Sequence, residues 1–201
     1  MAKIGLTSCL DKNDKVGYIG DNGDWVVPGK YDIARDFHGE KLALVKRDGL
    51  YGYINAKGEE IIPPQFLEAS SFSEGLAKVK VGTDWFFIDT EGERIFSPEY
   101  DEVGSFFNGL ALVSKDDKYG YINKTGEEVV PLQFDEADIF FETDIVVVSR
   151  GAKSGYLSKT GRLLGGTLFD KIENFNENGR ARVKLGEKRG FIDTNGKWYD
   201  E

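Results

Sequence analysis

Apolar and polar positions recur in step along this chain. One triplet returns six times: Gly17-Tyr18-Ile19, Gly52-Tyr53-Ile54, Phe86-Phe87-Ile88, Gly120-Tyr121-Ile122, Gly155-Tyr156-Leu157 and Gly190-Phe191-Ile192, at steps of 35, 34, 34, 35 and 35 residues. A turn glycine follows each copy: Gly23, Gly58, Gly92, Gly126, Gly161 and Gly196. Next comes an apolar pair (Val26-Val27, Ile61-Ile62, Ile95-Phe96, Val129-Val130, Leu163-Leu164), in three copies followed by Pro28, Pro63 or Pro131. An aromatic residue follows, in four copies with an aspartate behind it: Tyr31-Asp32, Tyr100-Asp101, Phe134-Asp135 and Phe169-Asp170. Then stand Phe37, Phe72, Phe106, Phe140 and Phe175, and finally a short apolar run such as Leu42-Ala43-Leu44-Val45 or Ile145-Val146-Val147-Val148. So many markers at a fixed period identify a repeat architecture, in which one unit cannot bury its own apolar face.

The unit reads as three strands. The triplet and the apolar pair form a hairpin, in which Asn55, Asp89, Asn123 or Asp193 accepts backbone hydrogen bonds and the glycine three residues on closes the turn at positive φ. The proline is expected to stop the second strand, because it cannot donate to a ladder. The terminal run is the third strand. Three strands in about 35 residues leave no room for an ordinary helix. Runs such as Ile145–Val148 are apolar at adjacent positions, which predicts strands covered on both faces. The glycine opening each triplet is expected to allow close backbone approach between neighbouring units.

These readings predict an all-β fold of six three-stranded units starting near residues 15, 50, 84, 118, 153 and 188, in one repeat domain spanning 1–201. Residues 1–14 then hold a split third strand. By completing the C-terminal hairpin it would close a propeller-like ring and hide the sheet edges. The alternative is an open β-solenoid of stacked hairpins.

Composition narrows the function. The chain has 201 residues, 26 basic against 35 acidic, and a net charge of −9. That balance disfavours nucleic acid and suits a basic protein partner. No segment has the length of a membrane span or a signal peptide, so the expected location is the cytoplasm and the expected state a monomer without membrane partners. One cysteine (Cys9) and one histidine (His38) leave no disulfide framework, no zinc set and no Cys/His or Ser/His catalytic set. No metal, cofactor or catalytic residue is therefore expected, and the chain reads as a non-enzyme.

The pattern resembles the bacterial WG-repeat (KWG-repeat) family, whose unit runs Trp-Gly-(Tyr/Phe)-Ile-Asp, a turn glycine, an apolar pair with proline, Tyr-Asp, then Phe-x-x-Gly-Leu-Ala-x-Val. Phe106-Phe107-Asn108-Gly109-Leu110-Ala111 and Lys118-Tyr119-Gly120-Tyr121-Ile122-Asn123 carry the likeness. The Trp-Gly pair itself is replaced in every copy, by Tyr51-Gly52, Trp85-Phe86 or Arg189-Gly190 for example. The resemblance implies a repeat scaffold that binds rather than one chemistry. Proteins made only of such repeats also resemble immunity proteins that neutralise bacterial toxins.

A residue demanded in every unit serves the fold, so the repeated Asp32, Asp101, Asp135 and Asp170 read as turn-formers. Residues the template does not demand are free to bind. Phe107 and Phe141 are surplus aromatics where other copies carry His38, Ser73 or Asn176, and Trp85 and Phe86 replace the small step of the third copy. Trp85, Phe86, Phe107, Phe141 and His38 are the candidate partner-binding residues. Cys9 reads as a small buried residue, and the charged segments around Asp48, Asp116 and Glu187 as solvated loops. The expected function is a non-catalytic protein-binding module, of which a toxin-neutralising inhibitor of a basic partner is one form. Carbohydrate or cell-wall binding through exposed aromatics is the alternative, and a carboxylate-dependent hydrolase ranks last.

Overall fold

Two-residue turns organise the chain. Asp48 and Gly49 both have positive φ, as do Asp116 and Asp117, the signature of the type I′ hairpin turn. At Gly82, Gly151 and Gly186 only the first central residue does, as type II′ requires. The turns at Asp48, Asp116 and Gly186 fall in the charged segments expected to be solvated loops, and their residues are exposed. Each is also a tight turn that clamps the apolar run of one sequence unit to the triplet of the next, so that Arg47 pairs with Leu50, Lys115 with Lys118 and Leu185 with Lys188.

The computed structural model describes residues 5–37, 41–140 and 143–201. Packing divides the chain into two compact units, residues 1–98 and 99–201. In the first, β1 (Leu6–Leu10), β2 (Val16–Gly20) and β3 (Trp25–Tyr31) form sheet 1. Sheet 2 follows with β4 (Ile33–Ala34), β5 (Leu42–Arg47), β6 (Leu50–Asn55) and β7 (Glu60–Phe66). Sheet 3 holds β8 (Glu68–Ala69), β9 (Ala77–Val81), β10 (Asp84–Ile88) and β11 (Arg94–Phe96). The second unit repeats the plan. Sheet 4 is β12 (Glu102–Val103), β13 (Leu110–Lys115), β14 (Lys118–Asn123) and β15 (Glu128–Phe134). Sheet 5 is β16 (Glu136–Ala137), β17 (Ile145–Arg150) and β18 (Lys153–Ser158). Sheet 6 is β19 (Lys171–Ile172), β20 (Arg180–Leu185), β21 (Lys188–Asp193) and β22 (Trp198–Asp200). All named strand pairs are antiparallel, and helix among the described residues is one 3-10 turn at Leu164–Gly166.

The sheets are phased differently from the expected units. The apolar run opens a sheet instead of ending one, because its tight turn leads directly into the following triplet. The first strand is thus not held over for the C-terminal hairpin: β1 pairs with β2, from Leu6 opposite Gly20 to Leu10 opposite Val16, and sheet 6 has its own run in β20. A short fourth strand, absent from the expectation, borders most sheets two residues beyond the repeated aromatic, as where Ile33 pairs with Lys46. Cys9 lies in β1 and is only partly buried.

The prolines do not end their strands. Pro28, Pro63 and Pro131 lie inside β3, β7 and β15, at bulges where the register jumps: Tyr51 faces Phe66, yet Tyr53 faces Ile62. Each of these strands is at a sheet edge, where the missing N–H costs no ladder bond. The bulge explains the triplet glycine. A Cβ on Gly52 would lie 2.6 Å from the Ile62 carbonyl oxygen and the Pro64 nitrogen, and one on Gly120 would lie 2.5 Å from the Val130 oxygen. The close approach is therefore inside one sheet, not between neighbouring units. In sheet 3 Phe86 replaces the glycine and β11 is only Arg94–Phe96. In sheet 5 the third strand gives way to the 3-10 turn, with Leu157 bridged to Leu163.

Alternation sorts the runs between two cores. Leu42 and Leu44 enter one cluster with Tyr53, Ile62, Phe66, Val79 and Ile88, while Ala43 and Val45 enter another with Tyr18, Val27, Tyr31 and Ile54. Sheet 2 is thus covered on both faces, as its adjacent apolar positions predict. Sheet 5 behaves alike: Val146 and Val148 pack with Tyr121 and Phe134, whereas Val147 packs with Tyr156 and Val183. Each fully buried large side chain stabilises by about 1.5–3 kcal/mol.

Two polar devices link successive sheets. The triplet tyrosine donates its hydroxyl to a backbone carbonyl 17 residues on, Tyr18 to Arg35 at 2.6 Å, Tyr53 to Ser70 at 2.7 Å and Tyr121 to Asp138 at 2.6 Å, with Tyr156 doing the same to Glu173. Its ring packs on the repeated phenylalanine, Tyr53 on Phe72 with centroids 4.6 Å apart and Tyr121 on Phe140 at 5.1 Å. Burial pushes these phenols up, Tyr156 to about 12. The second device is the repeated aspartate. Asp32 accepts the Asp48 N–H at 3.0 Å, Asp135 the Gly151 N–H at 2.6 Å and Asp170 the Gly186 N–H at 2.6 Å, each from the tight turn of the following sheet. The other carboxylate oxygen takes a lysine of the preceding sheet: Lys15 at 2.6 Å on Asp32, Lys153 at 3.1 Å on Asp170, and Lys118 on Asp135. The Lys15 and Lys118 ammoniums hold Asp32 and Asp135 below the usual carboxylate range, and the Gly186 N–H leads the same effect at Asp170. The aspartates are tied into turns, the role their repetition implies. Leu67 stands in their place in the second copy.

Candidate binding surface

Positions common to the copies fill the cores and latches. What differs is a cross-strand row on sheets 2 to 6, set by the second residue before the tight turn, its partner and the short edge strand. In sheet 2 the row is Ile33–Lys46–Tyr51, in sheet 4 Glu102–Ser114–Tyr119 and in sheet 5 Glu136–Ser149–Ser154. In sheet 3 it is Glu68–Lys80–Trp85, and in sheet 6 Lys171–Lys184–Arg189. The tile specifies a place there, not a residue.

Sheet 3 builds the row into a groove. Lys80 Nζ is 2.9 Å from the Glu68 carboxylate. The Trp85 ring lies under two ammoniums, Lys78 at 4.6 Å from its centroid and Lys80 at 5.4 Å. Tyr51 of β6 brings a second ring, capped by Lys46 at 4.7 Å. Tyr51, Glu68, Ala69, Ser70, Lys78 and Trp85 line a cavity of about 230 Å³. Partly desolvated cation–π pairs fix the lysine stems and keep the rings at the surface.

Below it in the chain, Glu60 gathers a separate charge cluster. The Arg47 guanidinium meets it with two nitrogens at 2.5 and 3.0 Å, and Lys30 Nζ and the Tyr31 hydroxyl each approach to 3.1 Å. The Arg47 bond, aided by Lys30 and Tyr31, holds the Glu60 carboxyl down to about 2. A depressed carboxyl stabilises the fold above its unfolded pKa of about 4.3 and ceases to do so as pH falls through the folded value. The stability difference between the native chain and a Glu60→Gln variant should therefore be level above about pH 5 and shrink from there towards pH 2. Urea titrations at successive pH values measure it, and a difference that grows on acidification would contradict the assignment.

Trp85 and Phe86 are adjacent on β10, so they face opposite sides of sheet 3. Trp85 lines the groove. Phe86 packs inward, its ring 6.4 Å from that of Phe66 and under the Arg94 guanidinium at 4.7 Å. Phe107, in the second unit, is partly buried beside a tight turn in which Asn108 and Gly109 have positive φ and the Leu110 N–H returns to the Phe107 carbonyl. His38 and Phe141 lie outside the described residues. The structure thus brings Trp85 together with residues that sequence reasoning missed, Tyr51, Lys78 and Lys80. The alternation Lys78-Val79-Lys80, charged on one side and apolar on the other, was the available signal. Among the described residues no group of three or more His, Cys, Asp or Glu side chains is placed to hold a metal ion, and no helix is long and apolar enough to cross a membrane.

Small antiparallel sheets built on one repeated template define an all-β repeat protein. The model of the WG containing repeat matches residues 17–51, 51–82, 85–119, 119–153 and 155–188. The chain belongs to that repeat family. No curated protein matches it. Among solved structures, the crystal structure of the eukaryotic initiation factor aligns with 96% of this chain at 14% identity and a TM-score of 0.55; the chain spans 62% of the length of that one. Hsv2 of Kluyveromyces lactis (12% identity, 95% of this chain and 71% of that chain, TM-score 0.46) also aligns. So does a protein of unknown function from Bacteroides caccae (15% identity, 98% and 93%, TM-score 0.34). The first likeness bears on the fold alone, and the other two are too distant to carry an argument.

Proposed function

We propose that this chain is a non-catalytic protein-binding module whose contact surface lies in the first unit, at the Trp85–Tyr51 groove. One observation carries the reading: core and latch positions recur from copy to copy, whereas the position of Trp85 holds Tyr51, Tyr119, Ser154 or Arg189 in other copies, and Lys78 and Lys80 lie against its ring. A partly exposed pair of aromatic side chains, Trp85 and Tyr51, has the composition of an interface centre, and the lysine stems beside them cover apolar surface at its rim. The net charge of −9 favours encounter with a basic protein, and a toxin held by its inhibitor is one such pair.

The test is capture of partners by the tagged native chain, then measurement of affinity for the captured partner. Trp85→Ala should weaken that affinity by at least about tenfold, the loss expected when an interface anchor is truncated. Its melting temperature should stay near that of the native chain. A partner bound equally well by the variant would move the site elsewhere, and turnover of a substrate by the chain would refute the module.

A further inference from the structure

The row on sheet 6 breaks a rule that the other rows keep. Lys171 stands directly opposite Lys184, and Lys184 directly opposite Arg189. Three cationic side chains in line on neighbouring strands, rooted at Cβ atoms about 5 Å apart, repel one another and weaken the sheet. The equivalent row of sheet 3 is Glu68–Lys80–Trp85, with an ion pair where sheet 6 has two lysines. Arg182 adds a fourth cation beside the row, its guanidinium 5.9 Å from the Phe191 centroid and paired with Glu201. Lys171 and Arg189 enter no salt bridge among the described residues. The same side chains, with Glu173 and Val183, line a cavity of about 230 Å³.

A chain with nine more acidic than basic residues has carboxylates to spare, yet the row itself holds none: Glu173 stands at the cavity wall, and Asp170, which feels the Lys184 charge, is already engaged by the Gly186 N–H and Lys153. Like charges opposed across strands, at a cavity, and against the sign of the whole molecule are what a site for an anion requires. We propose that the Lys171–Lys184–Arg189 row binds a phosphomonoester dianion. Two lysines offer compact positive charge, and Arg189 offers a planar donor pair that matches two phosphate oxygens. The cavity suits a compact anion better than an extended acidic chain. This inference is independent of the protein-binding reading, which rests on sheet 3.

Calorimetric titration at constant ionic strength with glycerol 3-phosphate, a phosphoserine peptide and an unphosphorylated Glu-rich peptide tests it. The native chain should bind glycerol 3-phosphate or the phosphoserine peptide saturably at one site, and whichever binds more tightly names the source of the phosphate. Arg189→Glu should weaken that binding at least about tenfold. Lys184→Glu should do the same and, in phosphate-free buffer, raise the melting temperature, because it alternates the charges of the row as sheet 3 does. Binding of the Glu-rich peptide as strong as that of either phosphate probe would overturn the proposal. So would signals explained by salt alone, phosphate binding that survives both substitutions, or a Lys184→Glu variant less stable than the native chain.

Discussion

Replacing Gly52 with alanine is expected to cost the fold about 3 kcal/mol, at the upper end of what overpacking a core position does. The added Cβ would lie 2.6 Å from two backbone atoms, the Ile62 oxygen and the Pro64 nitrogen. Backbone cannot rotate away as a side-chain tip can. The bulge that brings it close is held by the pairings of Tyr51 with Phe66 and Tyr53 with Ile62. Sheet 3 shows the other way out: with Phe86 at the glycine position, the edge strand shortens to three residues. In sheet 2 that escape would release Phe66, which is 4% exposed and packs against Phe86. Both routes destabilise. Gly49, whose φ is +83° with nothing near its absent Cβ, is the control, and Gly49→Asn should cost less than about 1 kcal/mol because asparagine tolerates that turn. Urea unfolding of both variants measures the contrast. A Gly52→Ala loss no larger than the control's would mean that the edge strand moves aside freely.

The second large effect is expected at Tyr121. Tyr121→Ala removes a fully buried ring from the cluster with Val130, Phe134 and Val148, and should cost about 4 kcal/mol. Tyr121→Phe keeps the ring and its packing on Phe140 and loses only the hydroxyl bond to the Asp138 carbonyl, so about 1 kcal/mol should go. Phe87 and Phe191 occupy the same triplet position in sheets 3 and 6, which shows that the tile accepts the ring without the hydroxyl. Equal losses for the two variants would instead place the hydroxyl, not the ring, at the centre of the joint between sheets 4 and 5.

The repeated aspartates and the triplet tyrosines were legible as structural residues because their spacing carries them, although their partners were not. Asp135 reaches Gly151 and Lys118, and Tyr121 reaches Asp138, each 16 or 17 residues away in the chain. No local pattern marks such pairs. The Asn/Asp turns after four of the triplets were legible in full, since the Asn123 side-chain oxygen accepts from the Thr125 and Glu127 N–H groups within its own turn. The dipeptide Asp48-Gly49 was legible too, as a strong hairpin signal that the charged residues around it obscured. Missing it shifted the units by one strand and left Leu6–Leu10 looking like a leftover.

From the chain alone came the β-repeat, its period, the strand-forming segments and the two-faced burial of the runs, because turn chemistry and side-chain alternation act over a few residues. Tertiary structure decided which strand pairs with which, why a glycine must precede each tyrosine, and that Trp85 stands among lysines while Lys184 faces two other cations. Those facts depend on register between strands and on side chains meeting across them, and register is settled only when hydrogen bonds and buried faces are satisfied together.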